Sequence, residues 1–135
     1  MRLNLLSILL IIWVSSLTGF AQTPDSIAKR FLSDFQTKGI KIALQNAPKG
    51  TPITTDTKLN KIEQQFKNQS IKLGKYYGYE VIENENKVNC FIAKSYILKY
   101  QNAPSQLNLI FYKPKDKWLL QNVILKRFSN KRGRK

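Results

Sequence analysis

Near Asn68 the hydrophobic pattern of this chain changes period once and does not change back. Before that point, apolar residues recur at helical spacing: Ile27, Phe31, Leu32 and Phe35 in one stretch, Ile40, Ala43, Leu44 and Ala47 in the next, Leu59, Ile62 and Phe66 in a third. Beyond it, four runs follow a period of two. The first spacing belongs to amphipathic helices and the second to strands. The pattern thus runs helices first and strands afterwards. It predicts an α+β domain with its helices first.

Local signals set the expected boundaries. Thr23-Pro24-Asp25 offers a hydroxyl cap, a proline tolerated in the first turn and an acid favoured by the helix dipole. Gly39 supplies a stop, and Pro48-Lys49-Gly50 ends the second helix. "TPIT" (Thr51 to Thr54) reads as an extended link, and Asp56 or Thr57 as the cap of the third helix. "KLGKYYGYEVIE" and "KVNCFIAKSYILKY" flank Asn84-Glu85-Asn86, which reads as a hairpin turn. "QNAPS" and "PKDK" then separate "QLNLIFYK" and "KWLLQNVILKRF", so four strands joined by short turns predict an antiparallel meander.

The pleat assigns faces. In "LGKYYGYEVI", Leu73, Tyr77, Tyr79 and Val81 fall on one side, Tyr76, Glu80 and Ile82 on the other. The second strand sets Val88, Cys90, Ile92, Tyr96 and Leu98 against Phe91, Ala93 and Ile97. The fourth sets Trp118, Leu120 and Ile124 against Leu119, Val123 and Leu125. A sheet with one wet face alternates more cleanly, so both faces are expected to be covered. Either helices take one face and a second copy of the chain the other, or the strands curl until the first helix fills the concave side alone.

The chain opens "MRLNLLSILLIIWVSSLTGFAQ": one arginine, an apolar run and the small residues around Gly19 and Ala21. This reads as an export signal over residues 1–21, cut before Gln22, with an uncleaved anchor as the alternative. The expected product is periplasmic or secreted. Residues 22–128 then make one domain, and residues 129–135 a basic, disordered tail. Cys90 is the only cysteine, so no intrachain disulfide can form; its apolar neighbours suggest a small buried side chain.

The formal net charge is +15, from 23 basic and 8 acidic residues. Such an excess draws a protein toward anionic surfaces, although eighteen of the bases are lysines spread along the chain. Only the end is concentrated. Lys126, Arg127, Lys131, Arg132, Arg134 and Lys135 are candidates for docking on anionic lipid headgroups. An exported destination argues against nucleic acid.

Helix, short helix, third helix, "LGKYYGYEVI" and three further strands together resemble the nuclear-transport-factor-2-like, cystatin-like α+β superfamily. More narrowly, they resemble its small exported bacterial members of unassigned function. The resemblance spans about residues 24–128 and rests on element order and hydrophobic pattern. It implies a curved sheet forming a cone around the first helix, an apolar cavity, and dimerisation through the outer sheet face. Cavity candidates are Phe31, Phe35, Tyr77, Tyr79, Leu109 and Trp118.

Catalysis finds little to use. The chain has no histidine, which removes the commonest acid–base group near neutral pH. Asp25 and Asp56 fall at helix starts, Glu83 and Glu85 beside the expected hairpin turn, and Asp116 in "PKDK"; Asp34 and Glu63 lie off the apolar stripes. Glu80 is the one carboxylate set among tyrosines, and the pleat points it outward. No metal-ligand cluster, cofactor motif, nucleophile elbow or phosphate loop is present. The sequence therefore predicts a non-catalytic exported binding or interaction module that holds a small apolar ligand or pairs through its sheet. Two alternatives stand beside it: a cyclase- or isomerase-like enzyme using Tyr77, Tyr79 or Glu80, and a basic binder of the envelope surface.

Overall fold

Thr23 starts the first helix as its sequence suggests. Its Oγ1 accepts from the Ser26 amide at 3.2 Å while its own amide donates to Ser26 Oγ at 2.9 Å, a reciprocal cap. The computed structural model describes residues 22–128, with the backbone alone at residues 83–87. The expected leader and the tail, with Lys131, Arg132, Arg134 and Lys135, lie outside the described residues.

Three helices, α1 (Pro24–Lys38), α2 (Ile40–Asn46) and α3 (Asp56–Leu73), precede four strands. These are β1 (Tyr76–Val88), β2 (Phe91–Tyr100), β3 (Pro104–Tyr112) and β4 (Leu119–Arg127). The helices pack with an antiparallel sheet of order β1-β2-β3-β4, so the α+β class and the meander are both observed. Ile27, Phe31 and Leu32 of α1, Ala43 and Leu44 of α2, and Ile62 and Phe66 of α3 share one core with Leu98, Leu107, Leu109, Phe111 and Leu120 of the sheet.

Several boundaries differ from expectation, each for a local reason. The cap of α3 is Thr55, whose hydroxyl accepts from Lys58 N at 3.3 Å, one residue before the expected Asp56. That helix runs five residues past Asn68, because Leu73 continues the stripe of Ile62 and Phe66 and no breaker intervenes before Gly74. "TPIT" is a 3₁₀ turn over Thr51–Ile53 that buries Ile53 to 1 % exposure. The preceding Pro48–Gly50 backbone pairs with β4: Leu120 N donates to Pro48 O at 2.7 Å and Gly50 N to Leu120 O at 2.9 Å.

The first hairpin turns at Asn89-Cys90, between paired Val88 and Phe91, and not at Asn84-Glu85-Asn86. The polar stretch instead falls in a register irregularity of β1 between Ile82 and Asn86. Turn-forming residues take the place where the ladder is interrupted. One consequence is that Cys90, expected to be buried, is exposed at the hairpin tip, and Val88 is 59 % exposed.

Two further bulges re-sort the faces. Tyr76 pairs with Tyr100 and Gly78 with Lys99, which leaves Tyr77 as an extra residue; Gly78 allows this at φ 130°. Tyr76 therefore turns inward with Tyr79, and Tyr77 outward, against the simple pleat count. In β4, Phe111 pairs with Leu120 and Ile110 with Asn122, so Gln121 is extra. Leu120 and Val123 then both enter the core, while Ile124 is exposed.

Candidate functional site

The bulge at Tyr77 builds an aromatic row at the end of the core where α3 gives way to β1. Phe35 of α1 packs edge-on to Phe66 with ring centres 5.1 Å apart, and its other neighbour, Tyr76, lies at 4.9 Å. Tyr76 in turn lies 5.4 Å from Tyr100, its cross-strand partner. Farther along, Tyr79 meets Tyr96 edge-on at 5.7 Å. The hydroxyls of Tyr76 and Tyr100 are buried and have no hydrogen-bond partner among the described residues. Burial pushes both phenols up to about 12, and the neighbouring Tyr100 adds to the rise at Tyr76.

The cavity candidates do not converge on one chamber. Phe31 and Leu109 are fully enclosed in the core, and Phe35 is held by the aromatic row. Tyr77 is 58 % exposed with the Lys75 ammonium 5.9 Å from its ring centre. Trp118 packs partly against the core just before β4, with Lys113 5.1 Å over its ring. Phe31 forms part of a groove of about 290 Å³ between α1 and α2, whereas Tyr79 belongs to a separate cleft of about 100 Å³ beside Tyr96. Of the basic candidates, Lys126 and Arg127 are exposed on β4.

Carboxylates that the sequence placed on solvent faces have more specific positions. Asp34 is only 7 % exposed: its Oδ2 accepts from Asn46 Nδ2 at 3.0 Å, and Arg30 and Lys38 stand at 3.9 and 3.7 Å. It ties α1 to α2. Glu80 is exposed, as its pleat position implied, with Lys99 at 3.7 Å. No cluster of three or more metal-ligating side chains occurs among the described residues.

Sequence reasoning passed over Lys94. It sits at a core position of β2 between Ile92 and Tyr96, and it is 7 % exposed. Its ammonium reaches Asp25 Oδ1, in the first turn of α1, at 2.6 Å. A lysine on the apolar parity of a strand was the available signal. With its carboxylate partner it locks the start of α1 against the sheet.

The opposite face of the sheet has another character. The register aligns Phe91, Tyr112 and Leu119 in one cross-strand row, Ala93, Ile110 and Asn122 in the next, and Ser95, Asn108 and Ile124 in a third. None of these nine residues is charged, and all are half-buried or exposed. The fourth row carries charge, with Glu80 and Lys126 at its two ends. In a chain with 23 basic residues, a lysine-free patch of this extent is a distinct surface.

No family model matches this chain, and neither a curated protein nor a solved structure does.

Proposed function

We propose that this chain is an exported, non-catalytic interaction module of the nuclear-transport-factor-2-like type, and that it works through the charge-free patch on the outer face of its sheet, on which a second copy docks. The observation that carries this reading is the set of three charge-free rows. Interface centres are depleted of lysine and enriched in aromatic residues, and here Phe91 and Tyr112 stand at 36 % and 37 % exposure. Two copies that each carry an excess of positive charge repel wherever lysines face one another. A neutral face is where they can meet, and a two-fold contact places that same face on both partners.

Sedimentation velocity over a concentration series tests the reading. The protein should form a dimer, and Ile110→Lys should leave it monomeric with an unchanged circular dichroism spectrum. A wild-type protein that stays monomeric throughout would sink the proposal. Export is checked separately by the intact mass of the protein recovered from its cell envelope, which should correspond to a chain beginning at Gln22.

Scatter of the cavity candidates favours a working surface over an internal ligand chamber. Tyr76 and Tyr100 add no base to a catalytic reading, since phenols held near 12 are almost wholly protonated at neutral pH.

A further inference from the structure

At the end of the molecule where α3 runs into β1, a groove of about 400 Å³ opens between the last turns of α3, the β2–β3 turn and the end of β4. That volume lies within the range of about 300–1,000 Å³ usual for small-molecule sites. Leu73, Pro104 and Phe128 supply apolar lining, and Lys72 and Arg127 supply two cations. Among the described residues neither cation has a carboxylate at ion-pair distance. Gln69, which also lines the groove, has a buried Oε1 with no hydrogen-bond partner among the described residues. Its amide carries acceptor and donors on one rotatable bond, so it can offer either to a guest.

The walls are tied in place. Asn102 N donates to Leu73 O at 2.9 Å and Gln101 N to Lys75 O at 2.8 Å, which anchors the β2–β3 turn to the helix end. Ser105 Oγ donates to Lys126 O at 3.1 Å and holds the last residues of β4 beside β3. Two uncompensated cations on a fixed apolar groove complement a ligand that is apolar along its length and negative at one end.

We propose that this groove binds a single-chain amphiphile with an anionic headgroup, the head held by Lys72 and Arg127 and the chain laid against Leu73, Pro104 and Phe128. Carboxylate and phosphate heads share the required chemistry. This site is independent of the outer sheet face, and binding is read by a different measurement from sedimentation.

The test is isothermal titration calorimetry of the full chain with dodecanoate, dodecyl phosphate and dodecyltrimethylammonium, each below its micelle concentration, and with dodecanol below its solubility limit. One anionic amphiphile should bind per chain, with dodecanol and the cationic analogue weaker by about tenfold or more, the loss expected when charge-assisted contacts go. The better of the two anionic probes identifies the headgroup. The double variant Lys72→Gln, Arg127→Gln should weaken anionic binding about tenfold while leaving the melting temperature unchanged. Phe128→Ala should weaken it as well. Equal affinity for dodecanoate, dodecyl phosphate and dodecanol would overturn the proposal. So would a double variant that binds like the wild type, or the absence of binding by either anion.

Discussion

Tyr100 and Tyr76 each keep a buried hydroxyl with no hydrogen-bond partner among the described residues. A buried, unsatisfied hydroxyl costs about 1–3 kcal/mol, so removing it is expected to help. Tyr100→Phe should hold or raise the midpoint of urea denaturation; a loss above about 1 kcal/mol would show that the hydroxyl has a partner. The raised phenols also fix a pH dependence. Both groups are neutral in the folded protein up to about 12, while in the unfolded chain they ionise near 10. Their contribution is therefore complete below pH 10 and is lost as pH rises from about 10 to about 12. Urea melts across that window should show stability falling less steeply in the double variant Tyr76→Phe, Tyr100→Phe. Cys90 makes a contrasting case: its thiol should react stoichiometrically with a thiol reagent in the native protein. Cys90→Ser should shift stability by no more than about 0.5 kcal/mol, as for other exposed positions.

Among the elements, α3 and β1 show how far a pattern can be read. The helical stripe and the alternating strands were legible because burial of one face imposes its period on the sequence. The ends were not. The α3 stripe continues through Leu73 into letters that also suit a strand, and only Gly74, at φ 81°, marks the stop. A Cβ at that position would lie 3.1 Å from Gln101 Oε1 and 3.2 Å from Gln101 Cβ. Gly74→Ala should therefore destabilise the fold by about 1–3 kcal/mol, measured by chemical denaturation, through strain at a glycine-favoured conformation. The bulges at Tyr77 and Gln121 were unreadable for a different reason. Each inserts one extra residue that only the pairing register reveals, and each inverts the faces that follow. Thus a simple pleat count puts Tyr76 outward and Tyr77 inward, and separates Val123 from Leu120. Gly78 hinted at the first bulge; nothing in "LLQNVIL" marked the second.

For the molecule as a whole, charge and surface pull in different directions. The excess of lysine was plain from composition, but its absence from three cross-strand rows of β2, β3 and β4 on the outer face emerged only once the register was known. If that face joins two copies, salt should strengthen the dimer, because screening relieves the repulsion between net-positive partners while the neutral contact is little affected. Dimer dissociation constants measured across an ionic-strength series should fall as salt rises; the reverse trend would point to ion pairs across the contact. The groove at Lys72 and Arg127 was hidden for the same reason, and so was the pairing of Lys94 with Asp25, although the apolar parity of Lys94 was readable. Both depend on which strands and turns meet, and spacing along the chain does not record that.

The two borders of the sheet carry a consequence for its growth. A row of open backbone groups invites further strands, from stray peptides or from like molecules, and produces fibres. At β4 the start of that row is already occupied by the Pro48–Gly50 backbone bonded to Leu120. At β1 the ladder breaks at Tyr77 and again between Ile82 and Asn86, so no long straight template is offered. The interruptions that defeat a simple pleat count also keep the sheet at four strands.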